Sequence, residues 1–262
     1  MMKPVLVFDL ETIPDVGGLR RVHGLASDLS DSEVAELAFQ QRRAAHGHDF
    51  LPLHLQRVVV ISCLLRAGKD LRIWSLAAPE QSEGEIIQRF FDGIEKFTPQ
   101  LVSWNGGGFD LPVLHYRGLL HGIVAPRYWD LGDADYADSR DFKWNNYIGR
   151  YHTRHLDLMD LLALYQARAA VPLDELAKLI GFPGKLGMDG GKVWDAWLAG
   201  ETAAIRNYCE TDVLNTYLVS IRFRLMRGEL GLAEYAEEIA FVRREIEKTG
   251  RAHWLEFLAA WR

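Results

Sequence analysis

Runs of apolar residues, and the spacing of polar ones between them, divide this chain into two unlike halves. Residues 4–9 (PVLVFD) read as a buried strand, ended by Pro14 and the Gly17-Gly18 pair that follow. Residues 28–48 (SDLSDSEVAELAFQQRRAAHG) are polar with helix-compatible spacing and predict a surface excursion. The runs 56–66 (QRVVVISCLLR) and 71–76 (LRIWSL) flank Ala67-Gly68-Lys69-Asp70, a strand–turn–strand pattern. Residues 82–97 carry apolar positions at helical spacing behind Ser82, with Glu83 and Glu85 in the first turn. A further strand, 100–104 (QLVSW), leads into Asn105 and three glycines. A helix over 110–120 then has Asp110 as its expected N-cap and Pro112 in its first turn.

From there the pattern is helical. Residues 156–165, 173–180, 191–199 and 201–226 are predicted helices, separated by Pro172, Gly181-Phe182-Pro183-Gly184 and Gly200. A last one covers about 232–260 with a break at Gly250. There are no repeats and no low-complexity linker. The expectation is one α/β domain over 1–262: a mixed central sheet with helices on both faces, a core over about 4–226, and a helical extension over about 227–262.

Composition changes this picture little. With 48% hydrophobic and 25% charged residues the chain is ordinary for a globular protein. No apolar run reaches the roughly 18–20 residues of a membrane span, and PVLVF stops at Asp9, short of a signal-peptide core. Cys63 and Cys209 are too few for a disulfide framework, so a reducing cytoplasm is expected. The net charge of −6 argues against a basic nucleic-acid coat but not against a nucleic-acid enzyme with a local positive groove.

Three segments place carboxylates among apolar neighbours, where burial is costly unless the group is paired, hydrogen-bonded or metal-bound. In FDLETIPD, Asp9 and Glu11 are two apart on a strand and project from one face, with Phe8 and Leu10 toward the core. They are either ligands for a hard cation or an acidic strand end entering solvent. In YCETDVLNTY, Tyr208 and Asp212 are four apart and share a helix face. In SWNGGGFDLP, three glycines allow close backbone approach, and Asp110 is a cap, a metal-site carboxylate, or both.

Taken in order, Asp-x-Glu, Asn…Phe-Asp and Tyr-x-x-x-Asp resemble the DEDD superfamily of 3′–5′ exonucleases, which have the DnaQ-like, RNase H-like fold. Tyr-x-x-x-Asp, rather than His-x-x-x-x-Asp, matches its tyrosine (DEDDy) branch, and position 207 is Asn. With QRVVVIS and HLDLMDLL added, the chain is similar to the predicted exonucleases related to the proofreading domain of family-B DNA polymerases, over residues 4–226. The resemblance implies that Asp9, Glu11, Asp110 and Asp212 ligate two Mg²⁺ or Mn²⁺ ions and that Tyr208 orients the attacking water. The implied activity is release of nucleoside 5′-monophosphates from single-stranded 3′ ends, DNA rather than RNA. An exoribonuclease of the same superfamily and a catalytically idle nucleic-acid-binding module are the alternatives. Proofreading would need a polymerase or repair partner in trans.

Substrate contacts are expected from Asn105 and Phe109 beside the metals and from RDFKWNNYIGRYHTRH (140–155), where Trp144, Tyr147 and Arg150 are the foremost candidates. Aromatic faces there would stack on bases and cations would neutralise phosphates, or the aromatics pack back onto helices. The loop GFPGKLGMDGGK (181–192) is expected to be a mobile surface segment, able to bring Lys185 and Lys192 to phosphates. Asp157 is expected in the first turn of its helix. The excursion from Asp15 to Leu55 either shades the site or serves as a docking surface.

Overall fold

The computed structural model describes residues 4–262. Five strands form one sheet: β1 (Val5–Pro14), β2 (Gln56–Ala67), β3 (Asp70–Ala77), β4 (Gln100–Ser103) and β5 (His155–Asp157). Their order is β3-β2-β1-β4-β5, with β2 antiparallel to β1 and β3, and β4 and β5 running parallel to β1 and β4. Helices follow in chain order: α1 (Val16–His23), α2 (Asp31–His46), α3 (Glu83–Phe97), α4 (Asp110–His121), α5 (Ser139–Phe142), α6 (Leu158–Leu162), α7 (Leu173–Leu179), α8 (Val193–Leu198), α9 (Thr202–Met226), α10 (Leu232–Lys248) and α11 (Ala252–Ala260). This mixed sheet, meander first and parallel crossovers after, has the RNase H-like arrangement.

The alternation along β1 sorts two cores. Leu6, Phe8 and Leu10 pack with Ile86, Phe90 and Phe91 of α3 and Leu111 and Leu114 of α4. Val7 faces the other way, among Val213, Leu214 and Leu218 of α9 and Trp254 and Phe257 of α11. Asp9 and Glu11 follow Val7 at two-residue steps, so the same pleat that buries Val7 turns both carboxylates toward α9. The ladder between β1 and β2 shifts register between Glu11 and Thr12, a bulge placed where β1 leaves the site.

Several elements differ from the sequence expectation. β1 runs on to Pro14 because β2 continues to pair with it beyond Asp9. The segment expected to be helical from 156 begins instead as β5, and the helix is limited to Leu158–Leu162. Three residues of parallel pairing with Leu101–Ser103 are too few for a period-2 pattern to stand out. The excursion is more than a polar surface segment: α1, α2 and the turn before β2 bury their own cluster of Leu19, Val34, Ala38, Leu51 and Leu55.

A buried ion cluster ties these layers together. Arg117 of α4 forks onto Glu83 (2.7 and 2.6 Å) and reaches Asp15 just after β1 (2.5 Å). Glu83 also accepts from the Val58 amide (2.8 Å) and contacts His121 (2.8 Å). The C-terminal helices are fastened likewise. Glu210 of α9 meets Arg251 and His253, and Glu238 of α10 pairs with Arg66 and accepts from the Tyr217 hydroxyl. Among the described residues no helix is long and apolar enough to cross a membrane.

Candidate active site

The five residues singled out by their spacing converge along the middle of β1, just before its bulge. β1 supplies Asp9 and Glu11, the start of α4 supplies Asp110, and α9 supplies Tyr208 and Asp212. Asp110, Glu11, Asp212 and Tyr208 are buried. Asp110 is not the N-cap of α4. Phe109 holds that position without a side-chain cap bond, and Asp110 Oδ1 instead accepts from the Leu10 amide (3.1 Å), between the two β1 carboxylates. The carboxylate therefore locks the helix start to the strand.

Burial raises every one of these acids above its ordinary range. For Asp9 and Glu11 burial is the main cause, and repulsion among Asp9, Asp110 and Asp212 adds to it. Asp110 is pushed up to about 7 and Asp212 to about 6, again chiefly by burial. In Asp212 the Lys185 ammonium partly offsets that effect. The Tyr208 phenol is raised as well, by burial and then by the negative charge of Asp212, Glu11 and Asp9, so it stays protonated.

Two neighbours join the site without any signal from spacing. Lys185 does not sit on a free surface loop: its Nζ donates to the Tyr208 hydroxyl (2.5 Å) and lies 3.5 Å from Asp212 Oδ2. The loop is pinned behind it by Asn215, which bonds both the amide and the carbonyl of Gly184. A lysine between glycines carries no local periodicity, so only the tertiary path reveals it. Cys209 follows Tyr208 on α9, and its thiol donates to the carbonyl and carboxylate of Asp9 (3.4 and 3.6 Å).

The donor set fits divalent cations. Ligand atoms of Asp9, Glu11 and Cys209 lie within 4.8 Å of one another. Asp212 Oδ1 is buried without a hydrogen-bond partner. Oxygen-rich, anionic sites of this kind suit hard ions such as Mg²⁺ and Mn²⁺. Burial pushes the Cys209 thiol well up, so it acts as a proton donor to Asp9 rather than as a thiolate ligand.

The expected substrate contacts divide. A cavity of about 830 Å³ opens beside Glu11, and Asn105 and Phe109 line it with Phe50 of the excursion and Trp194 of α8. The stretch 140–155 is largely inward. Tyr147 belongs to the core: it is 1% exposed, stacks on Tyr128 and donates to the Pro99 carbonyl, and it only borders the second cavity described below. Phe142 is buried, and the Arg154 guanidinium lies over its ring at 3.6 Å. Trp144 is 78% exposed and lines neither large cavity. Arg150 pairs with Asp160 and faces a second cavity. Asp157 caps α6 and also accepts from the Asn105 and Gly107 amides, which fixes the glycine loop from below.

The fold is an RNase H-like mixed sheet with a cluster of carboxylates along its first strand. The chain belongs to the family described as predicted 3′–5′ exonucleases related to the exonuclease domain of PolB, whose model matches residues 48–261. That match begins after β1, so Asp9 and Glu11 join the site through the structure and not through the matched segment. Similar solved structures include an ExoI/SSB-Ct complex (11% identity, TM-score 0.32) and the zinc-bound form of an E. coli ExoI–ssDNA complex (14%, 0.31). They cover 87% and 86% of this chain, which spans under half of theirs, 46% and 45%. No curated protein matches in sequence.

Proposed function

We propose that this protein is a metal-dependent 3′–5′ exonuclease that releases nucleoside 5′-monophosphates from single-stranded ends, DNA in preference to RNA. The observation that carries the reading is the convergence of four carboxylates whose ionisation the fold opposes, one of them with an unpartnered buried oxygen. A group of acids held this way is unfavourable for stability and is explained by cations that bind there.

Asp9, Glu11, Asp110 and Asp212 would hold two Mg²⁺ or Mn²⁺ ions. When bound, the ions supply Lewis acidity, favouring hydroxide over water and neutralising charge on the phosphate. Tyr208 keeps its own proton and accepts from Lys185, and the phenol oxygen has a second lone pair to receive a hydrogen bond from the attacking water. That contact aims the water oxygen at phosphorus. The water oxygen bonds to phosphorus as the bond from phosphorus to the 3′-oxygen breaks; the water gives up one proton to solvent and the leaving 3′-oxygen takes one from solvent. Lys185 holds the phenol in place and limits the repulsion among the acids. Phe109 and Asn105 are placed to receive the terminal nucleotide. The ties from Glu210 and Glu238 support one domain that includes the C-terminal helices. Two buried free thiols accord with a reducing cytoplasm, and any role in proofreading or repair would be shared with a partner in trans.

The test is a time course on 5′-labelled single-stranded DNA and RNA of one sequence, in Mg²⁺, Mn²⁺ or EDTA, beside Asp9→Ala. A metal-dependent ladder shrinking from the 3′ end is expected, with DNA cut faster and the variant slower by about 10³-fold or more. Folded protein that cuts neither strand with metal present, or that cuts equally well in EDTA, would refute the reading.

A further inference from the structure

A second large cavity, about 750 Å³, lies at the carboxyl ends of β4 and β5. Ligands of open α/β sheets bind in crevices at that edge. One residue, Asn105, lines both this cavity and the one beside Glu11, so the two are neighbours along the same loop. The Asn105 side-chain amide makes no hydrogen bond among the described residues. Gly107 and Gly108 line the cavity too, giving a stretch of backbone without side chains over which a ligand can lie close.

The walls are largely aromatic, and their charged residues are Arg150, Asp157 and Asp160. Trp129, 48% exposed, is backed by His115 at 4.7 Å and Tyr128 at 5.2 Å. Burial lowers His115 to about 4, so this wall is neutral at physiological pH. Tyr165 also lines the cavity, and it is held by two successive non-glycine residues in the left-handed region, Leu164 (φ 51°) and Tyr165 (φ 61°). Such backbone persists only where the surroundings impose it, and it concentrates at ligand sites. The Arg150 guanidinium lies 5.5 Å from the Tyr165 ring centre, cancelled in charge by Asp160 yet with donors to spare. Asp157 spends its oxygens on backbone amides. A cavity with flat π-faces, a free amide and no net positive charge suits a heterocyclic base better than a phosphate.

We propose that this cavity is a base-binding subsite for an unpaired nucleotide upstream of the cleaved end, with Trp129 and Tyr165 as its stacking faces. The inference rests on the exonuclease reading. It adds a second anchor beyond the terminal nucleotide, so a strand long enough to reach both cavities binds more tightly than a short one.

Fluorescence anisotropy in EDTA, with a labelled single-stranded trinucleotide and decanucleotide, tests it without any cleavage. Wild-type protein is expected to prefer the decanucleotide. Trp129→Ala should raise the decanucleotide Kd by roughly 5- to 150-fold, toward the value for the trinucleotide. Tyr165→Ala carries the same expectation and decides the matter if the tryptophan variant does not fold. Variants that keep the wild-type length preference overturn the subsite and leave the exonuclease reading intact. Equal weakening for both lengths also overturns it, since an upstream anchor cannot act on a strand too short to reach it. If wild-type protein neither binds nor cuts either strand, the exonuclease reading itself falls and the subsite with it.

Discussion

Asp110→Asn should make the metal-free protein more stable at pH 8, although it removes a residue of the site. Asp110 is buried, and its carboxyl is raised from 3.8 to about 7. Above that value the native state must hold a carboxylate that the unfolded chain solvates freely. A rise of that size corresponds to about 4 kcal/mol, and water entry with proton sharing among the neighbouring acids reduces this to about 2 kcal/mol. Between the unfolded and folded values the native state binds the extra proton. Stability therefore falls as pH rises from about 4 to 7, and the full penalty applies above 7. Asparagine has the same shape, can still accept from the Leu10 amide, and carries no charge. In EDTA at pH 8 the variant should melt roughly 4–8 °C above wild type, with the gap closing toward pH 4. Added Mn²⁺ should stabilise wild type by about 3 kcal/mol at a hundredfold excess over Kd, and the variant far less. Calorimetric melts from pH 4 to 9, with EDTA and with Mn²⁺, read all of this. A variant less stable than wild type at pH 8 in EDTA, or a gap that ignores pH, would refute the electrostatic account.

Other expectations follow from the same geometry. Tyr208→Phe should slow hydrolysis by about 10- to 100-fold, the weight of one hydrogen bond to a reacting group, while calorimetric Mn²⁺ binding stays as in wild type; an unchanged rate would reduce the phenol to packing. Lys185→Met should cut kcat by about tenfold or more and move the acidic limb of the pH–rate profile upward, because the ammonium lowers Asp9, Glu11 and Asp212. A limb that stays where it was would remove Lys185 from the electrostatics of the site. Arg117→Ala should cost about 3–5 kcal/mol in urea unfolding, since Glu83 and Asp15 would be left buried without their partner. A loss below about 1 kcal/mol would show that water replaces the guanidinium.

What could be seen in the sequence was whatever leaves a local period or a fixed spacing. The two-residue step from Asp9 to Glu11 and the four-residue step from Tyr208 to Asp212 each determine a shared face, and the fold brings those faces together. The cap at Ser82 and the break at Gly250 were equally local. What could not be seen was set by distant partners. Tyr147 and Trp144 are three residues apart in one aromatic stretch, yet one is core and the other faces solvent, because Tyr128 and Pro99 lie over only one of them. Lys185 reads as a loop cation until α9 places Tyr208 beneath it. Asp110 has the look of a cap, and the amide it accepts belongs to a residue a hundred positions away.

That last separation bears on when the candidate site is assembled. Asp9 meets Cys209 across 200 positions, and Leu10 meets Asp110 across 100. Contacts so distant carry a high loop-closure cost, which slows folding. A ribosome-bound chain that has emerged only as far as β5 holds Asp9, Glu11 and Asp110 but neither Lys185 nor α9. The long reach of β1 toward α9 thus acts as an interlock: the five residues of the candidate site come together only once α9 has docked on β1.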